Sequence, residues 1–281
     1  MEVQDIIIAI TDRLKDIQGI SAIVLGGSRA KGTHTPESDI DIGIYYDSPE
    51  NLDIQSLQRL AADLDDAHRE NIITPVNEWG RWVNGGGWLK VQNYSVDFIY
   101  RDLNLVSETI DDCLAGKITI DYYPGHPHGF LNSIYLAETA VCKILWDPER
   151  RVAHLKSRTK PFSETFKKAI IQKFLWEASF SLDGAKKVLT REDVSYAAGC
   201  CFRSVSCLNQ VLFSLNEHYC TNEKGAVDLI SSFSIVPENY KGRIHEVFNL
   251  ITTEQGQLTR AINNLHMIIV ETEELIMKNI K

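Results

Sequence analysis

Leu25-Gly26-Gly27-Ser28-Arg29-Ala30-Lys31-Gly32 is followed, a few residues on, by Ser38-Asp39-Ile40-Asp41-Ile42. The first stretch closes a short apolar run, Ile20 to Leu25, with two glycines and a serine. Glycines at such a turn let a phosphate approach the backbone, and Ser28 adds a hydroxyl. The N–H groups of a short following helix would point at that phosphate. In the second stretch Ile40, Ile42 and Ile44 alternate with Asp39, Asp41 and Gly43, the period of a strand. Residues two apart on a strand share a face at about 7 Å spacing. Two carboxylates so placed repel each other unless a cation lies between them. Oxygen ligands of this kind suit Mg²⁺, which takes one or two carboxylates together with substrate phosphates.

A third carboxylate, Asp97, interrupts the apolar run Val96-Asp97-Phe98-Ile99-Tyr100. If that strand lies beside the first, three carboxylates converge on a site for two metal ions. Each element is weak alone: Gly-Gly-Ser is commonly a tight turn, and Asp-x-Asp is commonly a solvated strand face. Their sequence along the chain gives the weight.

Around this nucleus, apolar residues from Val3 to Ile17 follow a helical period, and Leu52 to His68 reads as an amphipathic helix. Trp88–Val91 and Val96–Tyr100 read as a hairpin whose turn lies within Gln92-Asn93-Tyr94-Ser95. From about Asp102 the pattern becomes helical. The stripes Phe166, Ile170, Phe174, Ala178, Leu182, Ala185, Leu189 and Ala197, Cys201, Val205, Leu208, Leu212, Leu215, Tyr219 are followed by Leu258, Ile262, Leu265, Ile269. Three such faces must bury one another, which predicts a helical bundle. The expected fold is α+β: a small mixed-sheet domain over residues 1–115, then a bundle over 116–281. Pro124-Gly125-His126-Pro127-His128-Gly129 reads as a connector.

Composition narrows the partners. A net charge of −9 with no Lys/Arg cluster disfavours long nucleic acid. No apolar run predicts a membrane span, and the acidic start Met1-Glu2-Val3-Gln4-Asp5 lacks an export pattern. None of the six cysteines forms a Cys-x-x-Cys pair, so a zinc site is poorly supported, and Cys200, Cys201 and Cys207, in an apolar helical stretch, read as small core residues; reduced thiols agree with a cytoplasmic protein. His126 and His128 find no third ligand at a familiar spacing and read as a polar turn. Trp79, Trp82 and Trp88 around Gly85-Gly86-Gly87 either stack a base or acceptor or pack a hairpin loop, with Glu78 available to a cationic acceptor.

Gly27-Ser28, Asp39-x-Asp41 and Asp97 together resemble the signature of the polymerase-beta-like nucleotidyltransferase superfamily, over roughly residues 20–100. A small catalytic domain followed by a helical bundle is similar to aminoglycoside nucleotidyltransferases. That resemblance implies transfer of a nucleoside monophosphate, with ATP the expected donor, to a hydroxyl of a small acceptor, an aminoglycoside-like antibiotic among the candidates. It further implies that Gly27 and Ser28 hold the triphosphate, with Arg29 and Lys31 alongside as phosphate contacts or solvated residues. Asp39, Asp41 and Asp97 would hold two Mg²⁺ ions. Asp97 is the expected base. Glu138, in a predicted helix over Leu131–Leu145, is its rival, and Lys143 one turn away is a further phosphate candidate. Arg101, Lys186, Lys187 and Arg203 are weaker phosphate candidates. Two alternatives stay open: a transferase that modifies a protein or RNA, and a nucleotide sensor without catalysis. Retention of the third carboxylate disfavours the sensor.

Overall fold

A computed structural model describes residues 2–280. In chain order the elements are α1 (Val3–Leu14), β1 (Ile20–Leu25), α2 (Gly27–Lys31), β2 (Ile40–Tyr46), α3 (Ile54–Leu64), β3 (Gly86–Val91), β4 (Tyr94–Asp102) and α4 (Leu103–Leu114). There follow β5 (Ile120–Tyr123), β6 (His126–Leu131), α5 (Ser133–Val141), β7 (Lys143–Trp146) and α6 (Arg151–Ser157). The chain ends in α7 (Glu164–Lys186), α8 (Val194–Leu215), α9 (Ala226–Ile230), α10 (Tyr240–Asn249) and α11 (Gln255–Asn279). They form two compact units: residues 1–111 with 135–161, and residues 112–134 with 162–281. The architecture is α+β, a mixed sheet in one unit and a mainly helical second unit.

The first unit is built on a five-stranded sheet in the order β3-β4-β2-β1-β7. β2 and β4 run parallel; the other neighbours are antiparallel. Ile40, Ile42 and Ile44 of β2 and Val96, Phe98 and Tyr100 of β4 are buried, in one core with Ile6, Ile10 and Leu57 of α1 and α3. Slipping β2 by one residue would expose its three isoleucines, each worth about 1.5–3 kcal/mol when buried, and bury Asp41 instead. Strand parity therefore fixes which face carries the aspartates. The β3–β4 turn is tighter than the sequence pattern suggests. Only Gln92 and Asn93 lie outside the strands, both at positive φ, the backbone of a two-residue hairpin turn, and Tyr94 and Ser95 already belong to β4.

In the second unit the three predicted stripes are buried almost throughout; Leu189 and Tyr219 are half-buried. α7 packs on α8, and α11 packs on both. Ser163 and Asp193 cap α7 and α8 by accepting the backbone N–H of Phe166 and Tyr196. No helix among the described residues is long and apolar enough to cross a membrane.

Two expectations need correction. The helix predicted over 131–145 ends at Val141, and Lys143–Trp146 is an edge strand of the first unit's sheet. An apolar run of alternating size satisfies a helical period and a strand period alike, so periodicity cannot separate them. The expected connector Pro124–Gly129 is instead the turn and first half of a hairpin strand: β5 pairs with β6 within the second unit.

Candidate active site

On the sheet face opposite the core, Asp41 of β2 is the direct Cα partner of Asp97 of β4, and Asp97 is the direct partner of Trp88 of β3. One row across three strands therefore carries an indole and two carboxylates. Asp39 is exposed and stands just ahead of β2. Asp97 is pushed up to about 6, chiefly by burial, then by the charges of Asp41 and Asp39. Burial also raises Asp41, with Asp39 and Glu138 adding to the rise and Lys31 and Arg29 opposing it. These carboxylates lie close enough to raise one another.

The turn from β1 enters this face. The Gly26 N–H donates to the Asp41 carbonyl at 2.8 Å. Gly27 has φ +57°, and a Cβ there would lie 1.8 Å from Asp41 Oδ2. Any side chain at position 27 would collide with the carboxylate, so glycine is required by both conformation and space. The glycine lets Asp41 stand directly against the turn.

Arg29 is buried. Its Nε donates to the carbonyls of Ser38 and Asp39 at 3.2 and 3.0 Å, and one Nη to those of Ser38 and Pro36 at 2.6 and 3.4 Å. It ties the 32–39 loop to α2 and thereby holds Asp39 at the mouth of β2. Lys31, by contrast, is exposed. Lys143 sits opposite Leu25 on β7, and its Nζ reaches the Arg29 carbonyl at 3.3 Å. It arrives beside the turn from the edge strand, a placement that its assignment to a helix concealed.

Glu138, on α5, is held by Arg101. Arg101 Nε and Nη donate to the two carboxylate oxygens at 2.9 Å each. Arg101 is buried beneath Tyr135, whose ring lies 5.2 Å from the guanidinium carbon. A two-pronged pair of this kind fixes the carboxylate and leaves it acting as an acceptor of charge-assisted hydrogen bonds. Arg101, one of the weaker phosphate candidates, therefore has an internal partner. Lys186 likewise pairs with Asp183 at 2.8 Å, and Arg203 pairs with Glu177.

The tryptophans divide. Trp82 is core, edge-on to Tyr135. Trp79 and Trp88 stack with centroids 4.4 Å apart, and Trp88 is 59% exposed.

Among the described residues, the group of three whose ligand atoms lie within 4.8 Å of one another is His128, Glu177 and Cys207, in the second unit. Of the histidine pair read as a polar turn, His128 lies on β6 beside Glu177 and Cys207, whereas His126 contacts Glu223. A glutamate on the edge of the buried stripe of α7 was the one sequence signal for this group.

Residues 7–107 match the family of nucleotidyltransferase domains. The match spans the Gly-Ser turn and all three aspartates. No curated protein matches the chain. The crystal structure of a nucleotidyltransferase-like protein from Exiguobacterium sibiricum 255-15 aligns over 98% of this chain and 76% of its own, with 8% identity and a TM-score of 0.43. Over residues 7–107 the chain is similar to nucleotidyltransferase domains, and the protein is an enzyme of nucleotidyl transfer.

Proposed function

We propose that this enzyme transfers a nucleoside monophosphate, from ATP in the first instance, to a hydroxyl of a small acceptor and releases pyrophosphate. The observation that carries the reading is the parallel register that sets Asp41 against Asp97, with Gly27 packed on the Asp41 carboxylate. All ligand atoms in that set are hard oxygens, so the residues fit divalent magnesium. Asp39, Asp41 and Asp97 would hold two such ions. When bound, the ions supply Lewis-acid neutralisation of phosphate charge.

The chain's own residues do the rest. The Gly27-Ser28 turn receives the triphosphate, with Lys31 and Lys143 beside it. Arg29 acts indirectly by holding the loop that ends in Asp39. The acceptor oxygen forms a bond to the α-phosphorus in line as the bond from that phosphorus to the bridging oxygen of pyrophosphate breaks. The proton of the acceptor hydroxyl passes to Asp97, which stands in register beside Asp41. Glu138 is the weaker base, because Arg101 already engages both of its oxygens. Its role is to hold Arg101 and α5 against this face.

Trp88 stands in the same row as Asp97 and, stacked on Trp79, offers a flat apolar surface to a nucleobase or a sugar ring. A net charge of −9 favours a neutral or cationic acceptor, such as an aminoglycoside-like antibiotic, over nucleic acid. All six cysteines are free thiols, consistent with action in the cytoplasm. The test is a panel of aminoglycosides, lincosamides and other polyols with each nucleoside triphosphate and Mg²⁺, read by mass spectrometry. The expected product is an acceptor heavier by one nucleoside monophosphate. A panel in which wild-type protein yields labelled protein or RNA instead would replace the small acceptor with a macromolecule.

A further inference from the structure

The second unit holds a cluster that the transfer reaction does not use. His128 lies on β6, Glu177 on α7 and Cys207 on α8. Their ligand atoms lie within 4.8 Å of one another. His128 and Cys207 are buried, and the Glu177 side chain is 11% exposed. Cys207 Sγ and His128 Nε2 are 3.6 Å apart. Zinc bonds of about 2.3 Å to sulfur and about 2.0 Å to nitrogen, at a tetrahedral angle, set S and N about 3.5 Å apart. The observed edge is therefore already that of a zinc tetrahedron.

The other groups fall in with this. Arg203 reaches Glu177 from one side only: its Nε, at 2.5 Å, and an Nη both meet Oε1. The guanidinium braces the carboxylate, as an outer group does for a metal ligand. It is Nε2 of His128 that faces Cys207; the second ring nitrogen, Nδ1, is buried without a hydrogen-bond partner. Glu223 accepts from the His128 backbone N–H and contacts His126 Nδ1, both at 3.2 Å, and so holds β6 in register with the site.

We propose that His128, Glu177 and Cys207 form a binding site for a borderline-soft divalent cation, zinc above all, tying β6 to α7 and α8. Sulfur and nitrogen ligands exclude magnesium and separate this site from the carboxylates of the first unit. Binding converts the Cys207 thiol to a thiolate and releases one proton to solvent. Three protein ligands leave a fourth position to water.

The experiment is a titration of chelator-treated protein with Co²⁺ and then Zn²⁺, run in parallel in wild type and in Asp41→Ala. One equivalent of Co²⁺ should produce a thiolate-to-cobalt charge-transfer band together with the intense visible bands of tetrahedral cobalt, in both proteins. One equivalent of Zn²⁺ should bleach both. Cys207→Ser should lose the charge-transfer band, and His128→Gln should weaken binding roughly tenfold or more. Glu177→Gln, which keeps the size of the side chain, should weaken binding while the circular dichroism of the metal-free protein stays unchanged, so that loss of binding is not mistaken for loss of fold. No thiolate band in wild type would overturn the proposal and leave a plain S–H···N contact. A band that survives in Cys207→Ser would overturn it equally. Because the readout is spectroscopic and persists in Asp41→Ala, its failure is distinct from failure of the transferase reading.

Discussion

The two units assemble their polar clusters by opposite means. In the first, Asp41, Asp97 and Trp88 come together because three adjacent strands place one residue each in a single row. In the second, His128, Glu177 and Cys207 come from a strand and two helices, and the histidine and cysteine are 79 residues apart. A sheet fixes side-chain direction by parity, so a polar residue in an apolar strand declares which face it serves. Helix packing leaves direction to the rotation of each helix, and nothing local announces that a buried thiol will meet an imidazole. The first cluster also raises its own carboxylates by mutual repulsion and burial, whereas the second pairs its carboxylate with Arg203.

The sharpest way to break this contrast is Asp41→Ala. Loss of the central carboxylate should lower kcat/KM for nucleotidyl transfer by roughly a thousandfold or more, about 4 kcal/mol of transition-state stabilisation. The thermal unfolding midpoint should hold or rise. Normal transfer by this variant would remove Asp41 from the chemistry and, with it, the row as the organising feature.

Next in size is a change that leaves the aspartates alone and disturbs the strand beside them. Asp65 is fully buried and accepts from the Lys90 N–H at 2.9 Å, the Arg69 N–H at 3.2 Å, and the Arg69 Nε and Nη at 2.9 and 2.6 Å. These bonds, the Arg69 guanidinium first among them, hold its carboxyl well below the usual carboxylate range. Asp65→Ala would strand the Lys90 donor and destabilise the protein by about 3 kcal/mol, read by denaturant unfolding at pH 7. The sign with pH follows from the depressed pKa. The contribution is present in full above the unfolded carboxyl value near 4 and fades as pH falls below it. The gap between variant and wild type should therefore narrow in acid. A gap independent of pH would mean that Asp65 acts by packing alone.

Much of the first unit was legible in the sequence, and the reason is the same parity. Ile40, Ile42 and Ile44 alternating with aspartates gave β2, and Asp97 within Val96–Tyr100 gave β4. What stayed hidden depended on partners from elsewhere in the chain. Lys143 was assigned to a helix, because Leu131 to Leu145 fits both periods and only pairing with β1 reveals the strand. The burial of Arg29 depends on the path of the 32–39 loop, which no pattern encodes. Gly27 was read as a residue that admits phosphate, but its contact with Asp41 exists only after β1 and β2 pair. The bundle's three stripes were legible as buried faces, and their contents were not: an apolar stripe says that Cys207 is inside and is silent on what it faces.

A smaller effect tests whether the aromatic end of the row belongs to the site. Trp88→Ala removes an exposed ring stacked on Trp79 and should cost little stability. It should raise KM for nucleotide or acceptor about tenfold, in line with about 1–1.5 kcal/mol for an aromatic stack, and leave kcat nearly unchanged. Whichever KM moves identifies the ring's occupant, and if neither moves the stack is a surface feature of the hairpin.

The smallest effect bears most directly on the contrast between the units. With no cation bound, an ionised Asp97 is a cost to folding, since burial and the charges of Asp41 and Asp39 raise it to about 6 against an unfolded value near 4. A raised carboxyl pKa destabilises the fold above that value, and the penalty disappears as pH falls toward 4, where the unfolded chain also binds the proton. Asp97→Asn in chelator-treated protein should therefore be more stable than wild type at pH 8, on the order of 1 kcal/mol after allowance for solvent screening of a half-exposed group. The advantage should shrink through pH 6 and vanish near pH 4. Added Mg²⁺ should reverse it by stabilising wild type alone, because only wild type retains the full set of carboxylates. Glu177→Gln should behave in the opposite way, since Glu177 is already paired with Arg203 and its removal strands a guanidinium instead of relieving repulsion. If both substitutions moved stability in the same direction at pH 8, the difference drawn between a repelling cluster and a compensated one would not hold.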